Sequence, residues 1–192
     1  MRKSTKFLGA IAGAGLLLTG VVSPAMADVV NSTVSGGALS VTTAAPALSA
    51  VTLNGTSTQT STGTSAAWSI TDARGTGAAW AVSASATDFT SAAGTVELTA
   101  RTIAVTGLTI TPGTVTAGTG ADAATGITAP ALTMSTTSQA LISAAGPNKG
   151  TYSVAPSFSL DIPANAYRSN YTGAVGSTAL NPYTSTITYT IA

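Results

Sequence analysis

Hydrophobic positions recur with a period near two along most of the chain after residue 27, and rarely with the 3.6 period of a helix. That alternation predicts strands at 39–43, 49–53, 66–72, 79–86, 101–110, 132–134, 152–161 and 184–191. Turn dipeptides separate them: Asn54-Gly55, Arg74-Gly75, Pro112-Gly113, Pro147-Asn148 and Asn181-Pro182. About eight short strands at this spacing predict an all-β fold, an immunoglobulin-like antiparallel β-sandwich. The one stretch of helical character is SQALISAA at 138–145, long enough for one or two turns. Residues 113–131 read as a long loop rich in Gly, Thr and Ala, with a strand at its end.

The segment WSITDARGTGAAWAV, residues 68–82, carries the strongest local pattern. Trp68 and Ile70 share one face of their strand, and Trp80 and Val82 share one face of theirs. If the two strands pair with each other, facing residues keep a constant index sum. The register that sets Trp68 against Val82 and Ile70 against Trp80 leaves a loop at 73–77, where Gly75 and Gly77 can take positive φ. A hairpin with both tryptophans on one face is the expectation. The plainer alternative for both rings is that they fill the sandwich core.

The N-terminus reads differently. Arg2, Lys3 and Lys6 precede an apolar run at 7–22, and Ala25-Met26-Ala27 supplies small residues at a cleavage site. This order of charge, apolar run and small residues predicts a signal peptide over residues 1–27, cut before Asp28. A transmembrane anchor is the alternative, but Gly9, Gly13, Gly15 and Gly20 interrupt the run. Residues 28–47 follow as a low-complexity N-terminal arm or edge strand, and 48–192 as the folded domain. No linker, charge run or fixed-period repeat divides that domain.

Composition narrows the chemistry. Charged residues make up only 7% of the chain, and Ser and Thr take over the polar face. After residue 27 the cations are Arg74, Arg101, Lys149 and Arg168, and the acids are Asp28, Asp72, Asp88, Glu97, Asp122 and Asp161. Four scattered cations make no basic patch, which argues against nucleic acid and against anionic membranes as partners. There is no Cys and no His. Ser-His-Asp and Cys-His catalysis are thereby excluded, as are nearly all zinc and copper sites. The acids are dispersed, and Asp72 reads as a turn-capping residue, so a paired-carboxylate hydrolase is not supported. Calcium needs only oxygen ligands, but no D-x-[DN]-x-[DN]-G loop is present. No phosphate-binding G-x-x-x-x-G-K-[ST] loop occurs either. No cofactor and no enzymatic activity are expected. The N-x-[ST] triplets at Asn31, Asn54 and Asn170 are what chance gives in so Thr-rich a chain.

What remains is the aromatic set: Trp68, Trp80, Tyr152, Tyr167, Tyr171, Tyr183 and Tyr189. Such rings can stack on the apolar faces of sugars. Three stretches from Trp68 onward resemble the WxL-domain family of Gram-positive surface proteins. The first is TDARGTGAAWAVSASATDFTSAAG, with Trp80-Ala81-Val82 at the place of the family's first Trp-x-Leu. The second is SLDIPANAYRSNYTG, similar to the late Ile/Val-Pro-Ala strand, and the third is the closing YTSTITYTI. The chain departs from the family pattern at Val82, which replaces Leu, and at Tyr189-Thr190-Ile191, which stands in for the second Trp-x-Leu.

The resemblance implies a non-enzymatic secreted protein held non-covalently on the cell wall, with peptidoglycan or another wall glycan as partner. No L-P-x-T-G followed by an apolar tail is present, in line with non-covalent retention. Trp80, Val82, Tyr183, Tyr189 and Ile191 are then the expected residues of, or beneath, the wall-contact surface. Trp68 and Ile70 are expected to be structural or to assist binding. The alternative is a structural or adhesive subunit. It would self-assemble or pair with another surface protein through exposed strand edges, which so few charges leave unguarded.

Overall fold

A computed structural model describes residues 30–192, so the expected signal peptide lies outside the described residues. The chain divides into a unit of residues 1–34 and a unit from Ser35 to Ala192, and every described strand belongs to the second.

Fifteen strands and one 3-10 turn make up this unit. β1 (Leu39–Thr42), β3 (Trp68–Asp72), β12 (Gly150–Val154) and β8 (Thr116–Ala117) form one antiparallel sheet in that order. β10 (Leu132–Thr133), β7 (Leu108–Thr111), β13 (Ser157–Ile162) and β2 (Gln59–Thr64) form a second. The same three stretches of chain, 59–72, 108–117 and 150–162, run through both sheets, which together make one layer. The facing layer comprises β15 (Ile187–Ile191), β4 (Trp80–Ala86), β11 (Gln139–Ala144) and β9 (Ile127–Thr128). It continues into a sheet of β14 (Tyr183–Thr184), β5 (Phe89–Ser91) and β6 (Arg101–Ile103). The arrangement is sandwich-like, antiparallel throughout and not closed into a barrel.

The strand count exceeds eight because breakers interrupt the predicted long strands and because β2, β5, β8, β9 and β11 lie outside the eight predicted spans. The expected strand at 152–161 is split between β12 and β13 at Ala155-Pro156, where proline cannot donate to the ladder. The expected strand at 101–110 is cut by the 3-10 turn Val105–Gly107, where Asp88 Oδ1 accepts the Val105 N–H at 2.9 Å. Gly107 is required there, since a Cβ would meet the Asp161 carbonyl oxygen at 2.7 Å. The expected strand at 49–53 does not form. The edge position beside β13 is taken by β2, a QTSTGT strand without an apolar side chain. Residues 47–49 lie along the free edge of β2 instead, with Ser49 N–H donating to the Thr62 carbonyl at 2.9 Å.

Two further expectations are overturned. SQALISAA is not helical, because most of it is β11, between β4 and β9. A bulge between Ala140 and Ile142 inserts Leu141, so Leu141 and Ile142 are both buried, and the pattern of alternation is lost. The second correction is larger. β3 and β4 do not pair as a hairpin: β3 lies between β1 and β12, whereas β4 lies between β15 and β11 in the facing layer. Both edges of β3 are occupied, and residues 73–79 arch from one layer to the other. Arg74 holds the arch. Its Nε and Nη2 donate to the Asp72 carboxylate at 3.0 Å each, and Nη2 also reaches the carbonyls of Ala78 and Ala79. Asp72 caps the turn through the Arg74 N–H at 3.0 Å, the role expected of it. Gly75 and Gly77 do take positive φ, of 72° and 66°.

Both tryptophans therefore fill the core from opposite layers. Trp68 meets Tyr189 of the other layer edge to face, with ring centroids 4.7 Å apart, and Trp80 meets Tyr152 at 6.0 Å. Each such contact adds about 0.5–1.5 kcal/mol beyond area burial. Their indole N–H groups are satisfied by main-chain carbonyls, Trp68 by Ala44 at 3.3 Å and Trp80 by Asn148 at 3.1 Å.

Candidate functional site

β15 pairs with β4 in a register that sets Tyr189 against Ala84 and Ile191 against Val82. Alternation then turns Ile187, Tyr189 and Ile191 inward and leaves Thr188 and Thr190 exposed. β15 is an edge strand, and β1 of the other layer approaches it, so these inward residues are only half buried. Trp80 and Val82 lie deeper, at 2% and 0% exposure, as do Trp68 at 1% and Ile70 at 0%. They brace the edge from behind and offer no open aromatic shelf.

At this edge the layers part into a groove of about 440 Å3. Residues 43–46 and Leu48 form one wall, and Tyr183, Thr184, Ser185, Ile187 and Tyr189 the other. Phe89, Leu108 and Phe158 line it from the core. No charged side chain contributes. Thr43, Thr184 and Ser185 supply hydroxyl groups to an otherwise apolar lining. Burial pushes the Tyr189 phenol up to about 12, and its buried hydroxyl has no hydrogen-bond partner among the described residues. Burial also raises Tyr183, whose hydroxyl donates to the Tyr167 carbonyl at 2.9 Å.

The structure thus brings three of the expected contact residues, Tyr183, Tyr189 and Ile191, to one edge, and the first two line the groove. The wall formed by 43–48 was not legible in the sequence. It lies in a stretch without strand alternation, and it is held by long-range bonds to Trp68 and β2. Also unforeseen are two buried asparagines. Asn170 Nδ2 donates to the carbonyls of Ala92 and Thr99 at 3.0 and 2.8 Å, and Ser91 Oγ joins it to Asn181. Asn148 Nδ2 similarly reaches the carbonyls of Ala123 and Thr125. These side chains pin long loops to the sheets. An asparagine in a loop carries no sequence signal that separates this role from a turn.

The acids are all engaged among the described residues. Asp72 pairs with Arg74, Asp122 with Lys149, and Glu97 with Arg101 and Arg168. Asp88 accepts the Val105 N–H, and Asp161 accepts the Thr60 hydroxyl at 3.1 Å. No group of three acidic, His or Cys side chains able to hold a metal ion occurs among the described residues. No helix among them is long and apolar enough to cross a membrane.

The fold is a two-layer antiparallel β-sandwich with an uncharged, aromatic groove at one edge. The family model for the WxL domain, described as surface cell wall-binding, matches residues 28–192. The chain belongs to this family, and it is a secreted, cell-wall-associated surface protein with a wall-binding domain. No curated protein and no solved structure matches it.

Proposed function

We propose that this protein binds peptidoglycan non-covalently, without enzymatic action, through the groove between residues 43–48 and the β14–β15 edge. The observation that supports this most is the lining of the groove: Tyr183 and Tyr189 with Ile187 and Leu48, edged by hydroxyl groups and free of charge. Such a surface suits the apolar faces and hydroxyl groups of a neutral sugar chain. Val82 acts indirectly, as the buried partner of Ile191 in the β4–β15 register, and Trp80 as part of the core. The non-enzymatic reading is supported by the described acids, each of which is held by a structural partner.

Co-sedimentation with purified peptidoglycan tests the reading. Ala45 is exposed and lines the groove, so Ala45→Trp obstructs it without touching the core. Binding by the wild type and a loss of about ten-fold or more in Ala45→Trp, with unchanged thermal unfolding, is the expected result. Equal binding by both proteins removes the groove from the account, and no binding by the wild type removes peptidoglycan as the ligand.

A further inference from the structure

The only local excess of positive charge among the described residues lies outside the groove. Arg74 and Lys149 each face one acid, but Arg101 and Arg168 share Glu97. Glu97 Oε1 accepts from Arg101 Nη2 at 2.9 Å and Arg168 Nη2 at 2.6 Å. Its Oε2 accepts from Arg168 Nη1 at 2.9 Å and the Tyr171 N–H at 2.7 Å. These bonds, the Arg168 side chain first, hold the Glu97 carboxyl down at about 2. The acid therefore stays ionised at any ordinary pH, and the cluster keeps a net charge of one positive unit.

The guanidinium groups are braced as well as charged. Arg101 lies 5.1 Å from the centroid of the Tyr167 ring, and Arg168 lies 4.0 Å from that of Tyr171. Arg101 Nη1 donates to the Arg168 carbonyl at 2.8 Å, and Arg168 Nη1 to that of Ser169 at 2.7 Å. Beside them opens a concavity of about 500 Å3 lined by Glu97, Leu98, Thr99, Arg101, Thr102 and Tyr167. Leu98 and Tyr167, which line it, stand 75% and 69% exposed. The Tyr183 hydroxyl, bound to the Tyr167 carbonyl, links this concavity to the groove.

We propose that the concavity at Arg101, Tyr167 and Leu98 is a second subsite, which takes an anionic group, carboxylate or phosphate, carried on the wall polymer. The inference rests on the wall-binding reading but not on the groove. A fixed guanidinium with an aromatic ring and an exposed aliphatic side chain recognises an anion attached to an apolar or sugar body better than a free ion. The two sources in a wall are the carboxylates of peptide cross-links and the phosphodiesters of attached polymers.

Leu98 gives a test that leaves every ion pair intact. Leu98→Lys and Leu98→Glu are compared with wild type on purified sacculi and on sacculi extracted with hydrofluoric acid, which strips phosphodiester-linked polymers. At ~20 mM ionic strength the Lys variant is expected to bind about five-fold more tightly than the Glu variant, with wild type between them. The difference should shrink towards unity at ~0.5 M salt, where charges are screened beyond a few ångströms. A difference that survives extraction assigns the anion to peptidoglycan carboxylates, and one that vanishes assigns it to phosphate; both uphold the subsite. Binding by all three proteins with no dependence on the sign of the charge overturns it and leaves the wall-binding reading standing. Absence of wild-type binding to either preparation overturns both.

Discussion

Trp80 sits where a polar indole N–H and a large apolar surface must both be satisfied, and the Asn148 carbonyl together with the Tyr152 ring does this. Trp80→Phe forfeits the hydrogen bond and is expected to cost about 1–2 kcal/mol in urea unfolding. Trp80→Ala adds a cavity and is expected to cost about 3–5 kcal/mol. Tyr189 presents the reverse case, since its hydroxyl is buried without a partner. Tyr189→Phe should therefore leave stability unchanged or raise it slightly. The same substitution should remove an alkaline dependence. The phenol titrates at about 12 when folded against an ordinary value of 10.0, so its contribution is complete below pH 10 and fades as pH rises towards 12. Glu97 works in the opposite direction. Its folded value of about 2 lies below the ordinary 4.5, so its contribution is complete above pH 4.5 and lost as pH falls towards 2. Unfolding midpoints measured between pH 5 and 2 should fall less steeply in Glu97→Gln than in wild type.

At the scale of elements, alternation located the strands that bury large side chains. β3, β4, β12 and β13 all lie where Trp68, Trp80, Tyr152 and Phe158 mark an inward face. It failed where strand identity comes from neighbours. β2 is a polar ribbon, recognisable only through its pairing with β13, and β11 hides its period behind one inserted residue. The hairpin expected at 68–82 had the right glycines and the right inward faces. Its error lay in partner choice: the arch held by Arg74 sends β4 into the other layer, a long-range outcome that local spacing does not encode. Of the proposed site, Tyr183 and Tyr189 were singled out from the closing Tyr-rich stretch. The wall at 43–48 and the asparagine clamps were not, because their bonds join residues distant in the sequence. Gly63 illustrates the dependence, since a Cβ there would strike the Ala47 carbonyl oxygen. Gly63→Ala is expected to push residues 47–49 off β2 at a cost of about 1–3 kcal/mol. Faster amide exchange at Ser49 would report the displacement.

Taken whole, the molecule is stabilised without disulfides by an aromatic and aliphatic core shared between two layers. We place the proposed wall contact at its margin, where β15 and the segment after β1 leave the groove and where the loop after β5, β6 and the loop after β13 carry the cluster of Glu97, Arg101 and Arg168. Trp80, at the place where the sequence resembles the family's first Trp-x-Leu, is buried in the core, so the proposed ligand contact falls to the groove residues instead. Hydrogen–deuterium exchange with and without soluble peptidoglycan fragments measures this division directly. The account predicts slowed exchange at residues 43–48 and 183–187, with no change in the already protected amides of 80–84. Slowing confined to another face, or none at saturating fragment, would contradict it.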